Sequence, residues 1–189
     1  MQRIVIFASG SGSNAENIIS YFKNSKKAKV SHVLSNNKDA GVFERCKRLR
    51  TNAVLFNKED FLQNDTVLNF LLNEADFIVL AGFLWKVPLK IIEAFSNKII
   101  NIHPSLLPKY GGKGMFGMRI HRAVIKNNEI ETGITVHYVN EFYDKGAIIF
   151  QAKIPVLSDD NPKSIAQKIS ALERKHFPII IKNLIFNQI

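Results

Sequence analysis

The sequence predicts a doubly wound α/β fold: a mostly parallel sheet with helices on both faces and a partly antiparallel late section. Three observations predict it. Short, continuously apolar runs alternate with amphipathic helical stretches through the first hundred residues. The connections between them are short, and the runs are apolar at successive positions, as in strands buried on both faces. After residue 104 the pattern changes to period-two alternation, the mark of antiparallel strands.

The elements follow in order. Residues 2–8, "QRIVIFA", read as a first strand ended by "SGSGSN" and followed by the helix "AENIISYF". Residues 29–35 form a second strand, and "AGVFERCKRLR" a helix with Val42, Phe43, Cys46 and Leu49 at helical spacing. Residues 53–56 are a third strand, followed by one helix, "DFLQNDTVLNFLLNE", carrying Leu62, Val67, Leu68, Leu71 and Leu72 on one side. Residues 76–83 are a fourth strand, "PLKIIEAF" a helix with Pro88 at its start, and "KIINIH" a fifth strand. "HRAVIKN" reads as a short helix, "TGITVHYV" and "AIIFQAKIPV" as late strands, and residues from Asn161 onward as a closing helix that Pro178 kinks or divides.

Composition narrows the function classes. The 189 residues fit one domain, and a hydrophobic share of 46% supports a sizeable core. No apolar run approaches the ~18 residues of a membrane span, so no membrane association is expected. The net charge of +10 arises from scattered lysines without a nucleic-acid-binding signature; a solvated, lysine-rich surface is the favoured reading, and the charge alone selects neither nucleic acid nor small anionic ligands. A single cysteine, Cys46, excludes a disulfide framework and a thiolate metal site, and points to a reducing, cytoplasmic setting.

Three stretches carry chemistry. The turn Ser9-Gly10-Ser11-Gly12-Ser13-Asn14 joins a strand to a helix, where unpaired N–H groups favour an anion. Gly10-x-Gly12-x-x-Ala15 also matches a dinucleotide fingerprint, but the acidic residue expected about 20 positions on is replaced by Ser35-Asn36-Asn37. Phosphate binding is therefore favoured over NAD binding; a purely structural turn is the remaining reading. Asn101 and His103 stand at the end of the fifth strand, where open parallel sheets bind ligands. An asparagine there can donate to developing negative charge, and a histidine can shuttle a proton. Pro104 and Pro108 stiffen the exit from that strand, whereas Gly111, Gly112, Gly114 and Gly117 free the segment beyond. In "HYVNEFYDKG", Asp144 is a candidate carboxylate for His103; alone it reads equally as a turn residue.

With these motifs together, the chain resembles the phosphoribosylglycinamide formyltransferase family over nearly its whole length, through "ASGSGSN", "LAGFLWKV", "NIHPSLLPKY", "TGITVHYV" with the later Asp144 and Gly146, and "ALERKHFP". The resemblance implies a single formyltransferase-type, Rossmann-like domain over 1–189, with a sugar-phosphate half (1–100) and a catalytic and folate half (101–189). It implies transfer of the formyl group of 10-formyltetrahydrofolate, a co-substrate, to the amine of 5-phosphoribosylglycinamide in purine synthesis, without a metal and with a monomer or homodimer as the active form. Carried over by motif, Ser11, Gly12, Ser13 and Asn14 hold the ribose phosphate, and Glu173 contacts the rest of that substrate. Leu84, Trp85, Lys86 and Val87, with Asn101, Asn140, Glu141, Phe142, Tyr143 and Asp144, line the folate site. Asn101 takes the oxyanion, His103 stabilises it and assists proton transfer, and Asp144 keeps His103 protonated and places a water. Trp85 stands where many members carry arginine, which shifts contacts there toward stacking. Arg119 precedes His121 where His-x-His is common, and "GGKGMFGM" lengthens the loop. A deformylase-like hydrolase, with water as acceptor, and a non-catalytic phosphate-binding module are the competing classes.

Overall fold

A computed structural model describes residues 1–186; the last three residues of the expected domain lie outside the described residues. The chain runs β1 (Gln2–Phe7), α1 (Ser13–Phe22), β2 (Ala28–Ser35), α2 (Val42–Leu49), β3 (Asn52–Leu55), α3 (Lys58–Leu62), α4 (Thr66–Glu74), β4 (Phe77–Leu80), α5 (Leu89–Ala94), β5 (Ile99–His103), α6 (Met118–Lys126), β6 (Glu131–Tyr138), β7 (Ile148–Pro155) and α7 (Pro162–Ile185). The seven strands form one sheet in the order β3-β2-β1-β4-β5-β6-β7. The first five are parallel, and β6 and β7 are antiparallel to their neighbours. Strand order reverses between β1 and β4, the switch point at which such sheets bind ligands beyond their carboxyl ends.

Side-chain alternation along β1 assigns its two faces. Ile4, Ile6 and Ala8 pack with α1, α2 and α7, through residues such as Ile18, Val42 and Phe177. Val5 and Phe7 point the other way and pack with Phe61, Leu71 and Ile91 of α3, α4 and α5. Both faces are thus covered, which is why the central strands read as unbroken apolar runs.

Three expectations are corrected. The single helix expected after β3 is two. Asn57 caps α3 in a reciprocal capping box with Asp60, and Asn64 Oδ1 accepts the Thr66 N–H at 3.0 Å, so the chain turns and restarts as α4. The two helices have separate phases, so Phe61, Val67 and Leu71 are buried while Leu62 and Leu72 are exposed. Strand β3, expected to be apolar on both faces, is an exposed edge strand because it has one neighbour only. Finally, of the kink or division expected at Pro178, the division does not occur: α7 continues through it. Proline lacks the N–H that would bond the Arg174 carbonyl, and that carbonyl instead accepts the Asn17 side-chain N–H from α1 at 2.9 Å. At its start, Asn161 and Ser164 form a capping box with Pro162 in the first turn, as the sequence indicates.

Candidate active site

A cleft of about 620 Å³ opens over the carboxyl ends of β1, β4 and β5. Its walls come from four places: the 9–14 turn, the 81–84 and 101–104 strand ends, the Gly112–Gly117 segment with His121, Tyr143 and Asp144, and one face of α7 including Glu173.

The 9–14 turn is built tightly. Ser9 Oγ donates to Asn36 Oδ1 at 2.7 Å and accepts the Leu84 N–H at 3.1 Å, tying together the exits of β1, β2 and β4. Gly12 has φ +77°, and a Cβ there would lie 2.5 Å from Val42 Cγ2, so the turn requires glycine. Arg45 on α2 donates to the Ser11 carbonyl at 2.7 Å, and Arg45 and Arg48 both pair with Glu16 in the first turn of α1. Among the described residues no side chain caps α1, so its N-terminal N–H groups remain available to an anion. Asn14 Nδ2 donates to Glu173 Oε2 at 3.0 Å, while its buried Oδ1 has no hydrogen-bond partner among the described residues. Burial raises the Glu173 carboxyl above the usual carboxylate range, the Asn14 hydrogen bond and the Arg174 charge opposing it.

Across the cleft, antiparallel pairing sets Asn101 opposite His137 and His103 opposite Thr135. His137 Nδ1 donates to the Tyr138 carbonyl at 2.8 Å, because a carbonyl can only accept. Its Nε2 is therefore the acceptor for the Asn101 side-chain N–H, at 3.0 Å, and this orients the Asn101 amide. By the same argument His103 Nε2 donates to the Tyr110 carbonyl at 2.8 Å. The atom left to gain or lose a proton is His103 Nδ1, which stands 3.5 Å from Asp144 Oδ1.

Asp144 has φ +55°, in the left-handed region that aspartate tolerates. Its Oδ2 accepts the Gly112 N–H at 2.8 Å, and its Oδ1 lies 3.7 Å from His137 Nε2. Burial works against the Asp144 charge, but its polar surroundings, the His103 ring and the Gly112 N–H among them, outweigh it and hold the carboxyl below its ordinary value. For His103 burial wins: its pKa lies below the ordinary 6.5, with Asp144 and the Tyr110 carbonyl offsetting only part of the cost. Asp144 thus favours the His103 imidazolium, as the sequence suggested, but burial opposes it and outweighs it.

The formyl transferase family model matches residues 2–181. A chloroplastic phosphoribosylglycinamide formyltransferase of Arabidopsis thaliana is 33% identical over 95% of this chain, which spans 64% of that relative's length. The phosphoribosylglycinamide formyltransferase of Haemophilus influenzae is 35% identical over 96% of this chain and 86% of its own. A crystal structure of glycinamide ribonucleotide transformylase 1 from Symbiobacterium toebii superposes with a TM-score of 0.88 at 30% identity, covering 99% of this chain and 89% of the other. The chain belongs to the phosphoribosylglycinamide formyltransferase family.

Of the residues that the family motifs single out, Ser11, Gly12, Ser13, Asn14, Leu84, Asn101, His103, Tyr143, Asp144 and Glu173 meet in the one cleft. Trp85, Lys86, Val87, Asn140, Glu141 and Phe142 are not among its lining residues. Val87 is buried in the second core cluster, and Trp85 packs edge-on against Phe56 at 6.0 Å between centroids. His121 does line the cleft; burial lowers its pKa, and its buried Nδ1 lacks a partner among the described residues. His137 is the residue that the sequence reading passed over. Its signal, a histidine two positions after Thr135 on the same strand face, acquires meaning only when β6 is known to pair with β5.

Proposed function

We propose that this chain transfers the formyl group of 10-formyltetrahydrofolate to the amine of 5-phosphoribosylglycinamide, by direct attack through a tetrahedral intermediate. The observation that carries this reading is the meeting of His103 Nδ1 and Asp144 Oδ1, 3.5 Å apart, in the cleft that the 9–14 turn also lines. In this reading the N–H groups of Gly12, Ser13 and Asn14 hold the phosphate, with Ser11 shaping the turn. Glu173 and the free Asn14 Oδ1 receive the polar groups of the sugar or the glycinamide. Leu84, Tyr143 and the apolar wall beside them take the ring system of the folate, with the 140–143 loop and the Trp85–Val87 segment bordering it.

The amine attacks the formyl carbon, and the carbonyl oxygen becomes an oxyanion. Asn101, its amide already turned by His137, donates to that oxygen through its second N–H. The attacking nitrogen, now an ammonium, must lose a proton, and N10 of the folate must gain one before the old C–N bond breaks. His103 is neutral at rest, so Nδ1 accepts the first proton and returns it for the second. Between the two transfers the imidazolium lies between Asp144 and the oxyanion, where both charges favour it. Atoms and charges balance within the two substrates and these side chains. The single, free and buried Cys46 suits a reducing compartment such as the cytoplasm.

The test mixes the protein with 10-formyl folate and the ribonucleotide and follows deformylated folate by absorbance. Release that depends on the nucleotide supports transfer. Equal release without it would mean a hydrolase, and no release with either would overturn the reading.

A further inference from the structure

The Gly111–Gly117 segment supplies half of one cleft wall, and one of its residues has no task in the mechanism above. Among the described residues that line the cleft, Lys113 is the one lysine or arginine. The other formal charges on the lining are the carboxyl groups of Asp144 and Glu173. The net charge of +10 is thus scarcely expressed where an anionic substrate has to sit. Lys113 is exposed and, among the described residues, forms no ion pair and no side-chain hydrogen bond.

Its position is nevertheless constrained on both sides. Immediately before it, the Gly112 N–H is held by Asp144 Oδ2 at 2.8 Å. Immediately after it, the Gly114 carbonyl accepts from Arg119 Nη1 at 3.3 Å, and the Arg119 guanidinium lies 4.9 Å from the Phe116 ring centroid. Arg119 is thereby occupied in holding the segment, and Lys113 is left between two tethers with a free ammonium at the cleft.

We propose that Lys113 is a specificity residue for the phosphate of the sugar-phosphate substrate, adding a mobile charge to the backbone N–H groups of the 11–14 turn. This rests on the reading that the turn binds phosphate. The electrostatic reasoning is direct. A phosphate monoester carries about −1.5 to −2 at neutral pH, and here it enters a cleft that already holds an ionised Asp144. Backbone N–H groups orient its oxygens but bring no net charge, and a lysine acts as the point charge that complements such a cradle. The flexible lysine stem lets that charge approach after the substrate has entered.

The experiment compares wild type with Lys113→Met and Lys113→Arg on the ribonucleotide and on the phosphate-free glycinamide riboside, with formyl folate saturating. Lys113 is exposed, so folding is not at issue; a matching melting temperature verifies it. For Lys113→Met, KM for the nucleotide is expected to rise ~10- to 100-fold, the range for a hydrogen bond to a charged partner. The riboside constants and the folate KM are expected to stay unchanged, and Lys113→Arg to keep most of the nucleotide affinity. Equal losses on nucleotide and riboside, a rise in the folate KM instead, or no change would each overturn the assignment. If wild type itself handled nucleotide and riboside alike, the phosphate site at the 11–14 turn would fall first. If wild type discriminates and Lys113→Met discriminates as well, only the role of Lys113 falls.

Discussion

The connection between β5 and α6 has two halves built on opposite terms. In Pro104–Tyr110 most polar groups are bonded, several of them to the distant strands β6 and β7. Thr135 Oγ1 donates to the Ser105 carbonyl at 2.7 Å and accepts from Leu107 N–H at 3.0 Å and Gln151 Nε2 at 2.9 Å. Ser105 Oγ donates to the Lys109 carbonyl at 2.7 Å, and the Tyr110 carbonyl receives His103 Nε2. In Gly111–Gly117 the hydrogen bonds are local, apart from the one from Gly112 to Asp144. The difference teaches where this cleft needs precision and where it needs access. The bonded half fixes the tautomer of His103, and the loosely held half carries a cation that has to make way for a substrate. Asp144 touches both halves, through His103 on one side and Gly112 on the other.

The sharpest break in that contrast is at its anchored end. Replacing His103 with alanine is expected to lower kcat/KM by ~10²–10⁴, the usual contribution of a positioned acid–base group, while nucleotide affinity measured by calorimetry survives. A rate within tenfold of wild type would remove His103 from the mechanism.

Asp144→Asn probes the residue that joins the halves. The Asp144 charge raises the His103 pKa against burial, so neutral asparagine lets it fall further below 6.5. His103 must be neutral to accept a proton, so the acid limb of the kcat/KM profile is expected to move to lower pH while the plateau drops. A limb that stays put or moves upward would mean that another group sets it.

Thr135→Val keeps the shape of the side chain but strips its hydroxyl from a fully buried site. It is expected to cost ~1–3 kcal/mol in urea unfolding, as partners are left unsatisfied. It should also slow turnover by ~10–100-fold, because misplacement by about an ångström is felt at the reacting atoms. A loss of stability with full activity would show that the bonded half serves the fold alone.

The smallest effect belongs to the loose half. Phe116→Ala removes a half-exposed ring whose main partner is the Arg119 guanidinium. Such surface cation–π contacts contribute about 0.5–1 kcal/mol, and the melting curve should move by no more than that. A larger loss would place the segment in the core and undo the contrast.

Periodicity and motif spacing determined the strand–helix alternation, the glycine-dependent 9–14 turn, the Asn161–Pro162 helix start, and the location of Asn101 and His103 at a strand end. These depend on neighbours in the chain, where steric and hydrogen-bonding rules act over a few residues. Other features depend on partners far apart in sequence. Asn14 and Glu173 are 159 residues apart, and the carbonyl freed by Pro178 is taken by Asn17. The same holds for His137, whose role with Asn101 arises from β5–β6 pairing, and for the edge position that leaves β3 exposed. The protonation of His103 is the clearest case. A carboxylate paired with the ring by motif argues for an imidazolium, but desolvation is set by everything packed around the ring, and only the folded arrangement weighs one against the other.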